Sequence, residues 1–159
     1  MIQYKTFLSP LGAITLSAFE GKLNGLYFAE TKNTSQVKPC NNLVFNLTEK
    51  WLSIYFSGKS PGFTPSLDLS GTKFQQTVWK ELLKIPHGET RSYNDIKIQL
   101  EAKTKKPSSA RAVGGAVAKN KILIIIPCHR VIRSDGRLGG FSAGVFYKKN
   151  LLAMEGVGF

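Results

Sequence analysis

Cys128 and His129 stand side by side, directly after the run Ile124-Ile125-Ile126-Pro127 and before Arg130 and Val131. Pro127 has no N–H and a fixed φ, so the strand-like apolar run cannot continue past it and the chain must turn. The turn leaves Cys128 at the edge of an apolar core. A thiol there is either a packed small hydrophobe or a nucleophile, and the charges around it decide which. His129 and Arg130 supply the potential to stabilise a thiolate. Glu155 is a second candidate, an acid at the end of the last helical stretch, where the helix dipole disfavours it. It either orients a histidine in a nucleophile–base–carboxylate relay or is a solvated surface acid. No metal-ligand spacing is present, since His87 and His129 are the sole histidines. Cys40 and Cys128 could form one disulfide, but nothing else points to secretion, and a reduced cytosolic compartment is the simpler expectation.

The net charge of +12 is unevenly spread. Residues 1–71 hold six Lys and no Arg against four acids, whereas residues 72–159 hold sixteen Lys and Arg against six acids, a net of +10. A basic half joined to a near-neutral half points to a polyanionic partner for the second half, the alternative being charge that serves solubility. No run has the length of a membrane helix and the N-terminus lacks the apolar segment of a signal peptide, so no membrane partner is expected.

These candidates need elements to position them. Ile2–Leu8, Ala13–Phe19 and Lys22–Phe28 read as strands, separated by turns at Pro10-Leu11-Gly12 and Glu20-Gly21. Thr31–Pro39 is polar and loop-like. Leu43, Leu47, Trp51, Ile54 and Tyr55 recur at helical spacing and predict a helix over Asn41–Phe56, with Ser57–Gly71 as a connector. Thr72 and Gln75 have capping-box spacing before a helix face of Phe74, Val78, Trp79, Leu82 and Leu83. Ser92 can cap a second, short helix carrying Ile96 and Leu100, after which Glu101–Lys106 is polar and basic. Pro107 suits the first turn of a third helix, Pro107–Lys119, whose side chains are almost all small. Such a helix either enters a nucleic-acid groove or packs tightly against another protein element. Asp135-Gly136 between short apolar flanks is a hairpin signal, and Gly139-Gly140 permits close backbone approach. Val145–Glu155 reads as a final helix carrying Phe146, Leu151, Leu152 and Met154, with Gly156 placed to cap it. The expected fold is α/β: a small N-terminal β-sheet plus helix domain with its connector, residues 1–71, then a mostly helical C-terminal domain, residues 72–159, with a helix-turn-helix-like DNA-binding element.

Pro127-Cys128-His129-Arg130-Val131 with Ile132, Asp135-Gly136, Leu138-Gly139-Gly140 and Phe141 resembles the signature of the O6-alkylguanine-DNA alkyltransferases, or methylated-DNA–protein-cysteine methyltransferases. The resemblance covers nearly the whole chain. It takes in Ser9-Pro10-Leu11-Gly12, Gly71-Thr72-Lys73-Phe74-Gln75, Val78-Trp79, Ile85-Pro86, Gly88 to Tyr93, Ala110 to Gly114, Asn120 and Glu155-Gly156, in the family's order.

The resemblance implies that Cys128 accepts the alkyl group from guanine O6, with His129, bridged by a water, and Glu155 forming the thiolate. With His129 to hold the proton and Glu155 to stabilise the resulting imidazolium, the thiol is expected to titrate below the ordinary value of roughly 8.5. Tyr93 matches the phenol that serves guanine N3 as the base departs, and Asn120 the residue that ties the helix to the active-site turn. Val117, Val131, Phe141 and Ser142 match the substrate pocket. Arg111 matches the arginine that enters the base stack beside a flipped nucleotide, and Gln75, Tyr93, Asn94, Ala110, Ala112, Gly114 and Ser134 match further DNA-binding positions. No cofactor or metal is implied. The implied partner is double-stranded DNA containing O6-alkylguanine, met through the minor groove by a monomer in a bacterial-type cytosol, with O4-alkylthymine activity and cooperativity along DNA left open. A thioether is not readily hydrolysed, so the protein is expected to act once. The chain also departs from the family pattern. The connector before Arg111 is longer and carries Lys103, Lys105 and Lys106; Lys121, Phe141 and Ala143 replace the usual proline, tyrosine and glycine. A pure DNA-binding module would not need Cys128, and a cysteine hydrolase would not need Arg111 on a small-faced helix.

Overall fold

The computed structural model describes residues 1–29 and 42–159. The expected loop Thr31–Pro39, Cys40 and the start of the first helix at Asn41 lie outside the described residues. The chain divides into two compact units, Met1–Leu69 and Ser70–Phe159.

In the first unit β1 (Gln3–Ser9), β2 (Gly12–Phe19) and β3 (Lys22–Tyr27) form an antiparallel sheet in the order β1-β2-β3. Glu20 and Gly21 both have positive φ, the conformation that a two-residue hairpin turn requires to match strand twist. All of β2 from Ile14 to Ala18 is buried, Thr15 and Ser17 included, together with Leu23 and Leu26 of β3. Helix α1 (Leu43–Phe56) packs on this sheet and is capped by the Asn42 side chain. Its buried face is Val44, Phe45, Thr48, Trp51, Leu52 and Tyr55, whereas Leu43 is exposed. The expected face is thus rotated, because Val44, Phe45, Thr48 and Leu52 also satisfy helical spacing. The connector belongs to this unit as far as Leu69: Leu23 N donates to Ser66 O and Asp68 N to Leu23 O, a bridge along β3.

The second unit holds α2 (Lys73–Leu82), β4 (Arg91–Ser92), α3 (Tyr93–Thr104), α4 (Ala110–Ala118), β5 (Val131–Ile132) and α5 (Val145–Met154). The Thr72–Gln75 capping box forms with both bonds present, and Ser92 and Asp95 make a second one at α3. Helices α2, α3 and α4 pack on one another, and Trp79 Nε1 donates to Ala116 O across the α2–α4 contact at 2.9 Å.

Four expectations need correction here. Helix α3 is longer than its apolar spacing suggested, running through Glu101–Thr104 to a left-handed Lys105. Helix α4 starts later than Pro107, because the Ser109 side chain accepts from Ala112 N and caps it there. The α3–α4 connection is therefore five residues, 105–109. The Asp135-Gly136 turn closes with Arg133 N bonding Arg137 O, yet no hairpin follows, since β5 pairs in parallel with β4. Finally, Ile124–Ile126 is not a strand. Ile125 N donates to Leu123 O across Ile124, whose φ is +69°, and Cys128 N donates to Ile126 O across Pro127 at φ −81°, ψ 62°. These are two γ-turns, the first of the strained positive-φ kind and rare for a β-branched residue. Burial of Ile122 through Ile126 holds them.

Candidate active site

The Pro127 turn delivers Cys128 into a single turn of 3₁₀ helix, Cys128–Arg130, all three residues buried. Asn120, just beyond the end of α4, fixes this loop: its Nδ2 donates to Ile126 O at 2.9 Å and its Oδ1 accepts from Ile122 N at 3.0 Å. One buried amide side chain thus spans the strained segment and satisfies backbone groups that no sheet pairs.

In the residue after the cysteine, His129 Nε2 lies 2.5 Å from Glu155 Oε2, with both side chains fully buried. Glu155 Oε1 accepts from Arg130 Nε at 2.7 Å and from Gly88 N at 3.0 Å, and Arg130 also donates to Ile85 O at 2.7 Å. Glu155 sits at the C-cap of α5, where Gly156 N bonds Ala153 O and Val157 N bonds Leu152 O, a Schellman closure that uses the positive φ of Gly156. The closure turns the carboxylate inward, so the surface-acid reading of Glu155 is excluded. Burial works against the Glu155 charge, yet the hydrogen bonds and charges of His129 and Arg130 outweigh it and hold the carboxyl well below the usual range. Burial also lowers His129, with Glu155 opposing. The imidazole is therefore neutral at pH 7. Since a carboxylate only accepts, Nε2 carries the proton and Nδ1 is the basic nitrogen.

Both shifts make acid destabilising. Each group has a folded-state pKa depressed below its unfolded value, so its contribution is present above that value and lost as pH falls. Stability is expected to decline below the ordinary histidine value of 6.5 and again below the carboxylate value of 4.5, as urea midpoints across pH would measure.

The expected low thiol pKa is not met. Burial pushes Cys128 up to about 11; the Asn120 side chain, the Lys148 charge and the backbone N–H groups of Cys128 and His129 only partly offset it. The resting thiol is protonated, and its proton must be removed when it reacts rather than beforehand.

Lys148 was not foreseen. It is fully buried, and its Nζ donates to Val131 O at 2.7 Å and to Gly140 O at 2.9 Å. Burial lowers it to about 8, while the Cys128 charge opposes. The signal was in its spacing, because Lys148 shares a helix face with Leu151 and Leu152 at i+3 and i+4. A Cβ on Gly139 would meet Arg133 Cγ at 3.3 Å, Lys148 Nζ at 3.6 Å and Tyr93 Cε2 at 3.7 Å, which gathers three elements around one glycine. Lys148→Met should remove the tie between β5 and the glycine turn. Transfer should slow about tenfold, for roughly 1.4 kcal/mol of lost positioning, and the rate–pH profile should move upward because a cation that lowers the thiol pKa is gone. Single-turnover rates across pH check both.

Tyr93 opens α3, half-buried, and burial first and then the Cys128 charge raise its phenol, so it is a donor at neutral pH. With Ala110, Gly114, Arg133, Ser134 and Asp135 it lines an open pocket of about 450 Å³. Arg111 and Ala112 are exposed on the first turn of α4, and Asn94 is exposed on α3. Val117 is buried on the inner face of α4. Phe141 begins the turn that Gly144 N closes, with Ser142 exposed beside it. The Gln75 side-chain oxygen is already engaged by the α2 cap.

The family model described as 6-O-methylguanine DNA methyltransferase, DNA binding domain, matches residues 73–157. The methylated-DNA–protein-cysteine methyltransferase of Mycobacterium tuberculosis is 44% identical over 157 residues, 98% of this chain and 93% of that protein. That of Methanosarcina barkeri is 42% identical over 155 residues, 96% of each. The crystal structure of Mycobacterium tuberculosis OGT in complex with DNA has a TM-score of 0.81 and 41% identity, covering 96% of this chain and 92% of that one.

Proposed function

Because this chain belongs to the methylated-DNA–protein-cysteine methyltransferase family, we propose that it repairs DNA by moving the alkyl group of O6-alkylguanine onto its own Cys128. The observation that carries this assignment is the buried pair that His129, the residue next to Cys128, makes with Glu155. A water passes the Cys128 proton to His129 Nδ1, and the Glu155 carboxylate on Nε2 stabilises the imidazolium that forms. The sulfur attacks the alkyl carbon; the S–C bond forms as the C–O6 bond breaks, and the electron pair leaves with guanine. Tyr93 supplies a proton-bearing hydroxyl to N3 of the departing base. Lys148, holding the carbonyls of Val131 and Gly140, shapes the pocket wall, with Val117, Phe141 and Ser142 completing it.

A base inside duplex DNA cannot present O6 to a buried thiol, so the nucleotide is flipped out through the minor groove and Arg111 fills its place. Gln75, Asn94, Ala110, Ala112, Gly114 and Ser134 are the further positions assigned to DNA contact. The protein acts as a monomer alongside chromosomal DNA in the cytosol. Among the described residues, no helix is long and apolar enough to cross a membrane. The test is stoichiometry: with excess duplex carrying O6-methylguanine, methyl lost from DNA should equal protein added and then stop. Continued removal would contradict a thioether end point.

A further inference from the structure

The recognition helix α4 carries one cation, Arg111. Half to two-thirds of protein–DNA hydrogen bonds go to phosphate and sugar, so the anchoring cations must lie elsewhere in this unit. A cleft of about 520 Å³ between α2, the end of α3 and the α3–α4 connection has the composition for it. Leu100 lies buried at its base, with Phe74 and Pro107 exposed along it and Lys73 and Lys106 on either side. Ser108, also in its lining, has a hydroxyl shielded from solvent with no hydrogen-bond partner among the described residues. The nearby Lys84 and Lys103 are both drawn to the buried Glu81, at 2.9 and 3.4 Å. Lys73 and Lys106 have no ion-pair partner among the described residues. The connection runs from Lys106 through the Ser109 cap straight into Ala110 and Arg111.

We propose that this cleft holds a stretch of DNA sugar–phosphate backbone, with deoxyribose against Phe74 and Pro107 and phosphate between Lys73 and Lys106. The alternation of apolar and cationic groups matches the alternation of sugar and phosphate. The longer lysine-bearing connection is then an anchor beside the flipping helix. This rests on the reading that the second unit binds DNA.

The test is the salt dependence of binding to undamaged duplex, read by fluorescence anisotropy. Each phosphate contact contributes about 0.9 to the slope of log affinity against log salt. The pair Lys73→Gln with Lys106→Gln should lower that slope by about 1, for the phosphate held between them. Lys22→Gln with Lys59→Gln removes the same charge from the first unit and should leave the slope unchanged, and Lys73→Arg with Lys106→Arg should retain it. All four lysines are exposed, and thermal melting checks that each variant is folded. A wild-type slope in Lys73→Gln/Lys106→Gln would overturn the proposal and leave the cleft to another occupant such as an acidic peptide. Equal losses in both Gln pairs would overturn it in favour of general net charge. A wild-type protein with no salt-dependent binding would instead defeat the DNA-binding reading itself.

Discussion

Glu155→Gln is expected to slow alkyl transfer by roughly a hundredfold near neutral pH, the low end for a positioned acid–base group because the carboxylate stands two steps from the sulfur. Glu155 raises the proton affinity of His129, which burial has already depressed. Without that charge the imidazole is a weaker base, and the thiol it must deprotonate is raised to about 11. The rate–pH profile should therefore shift upward. The same change should destabilise the fold by about 3 kcal/mol, since it strips the charged partner from a buried Arg130 guanidinium. A surface acid at a helix end would behave oppositely, with an unchanged rate and a slight gain in stability. DNA affinity should change little. Single-turnover rates across pH, with denaturant melts of both forms, separate the two accounts.

Arg111→Ala should slow repair in duplex DNA by about a hundredfold while reducing transfer from the free modified base far less. Holding a nucleotide out of the stack costs a few kcal/mol in duplex DNA and nothing for a free base. The position of Arg111 fits that division of labour. It is exposed on the first turn of α4, away from the buried thiol, with small neighbours Ala110, Ala112 and Gly114 that leave the helix surface open. Equal losses on both substrates would remove it from any role beside the flipped base.

Much of this geometry was legible in the sequence where a local rule and the tertiary fold agree. The Thr72–Gln75 box, the Ser92 cap and the Gly156 closure are each set by a few adjacent residues, and each forms. The relay was partly legible, because an acid at a helix C-terminus needs a reason, and His129 and Arg130 provide it. What failed was decided by distant contacts. The β-branched run Ile124–Ile126 has strand propensity, yet Asn120 folds it into γ-turns by supplying its backbone partners. Pro107 could have opened α4, but the Ser109 side chain captures Ala112 N instead. Lys148 was legible only as sharing a helix face with Leu151 and Leu152; its partners, the carbonyls of Val131 and Gly140, are brought together by the fold. The thiol pKa departs from expectation for a related reason: the sequence shows its charged neighbours but not the depth of its burial.

The most direct measurement is the mass of the protein and of its peptides after reaction with duplex DNA carrying labelled methyl on guanine O6. One methyl group per protein should appear, on the peptide containing Cys128, with none on the peptide containing Cys40; Cys128→Ala should bind the same DNA and gain nothing. Methyl on Cys40, no gain in mass, or a labelled Cys128→Ala protein would contradict the assignment of Cys128 as the acceptor.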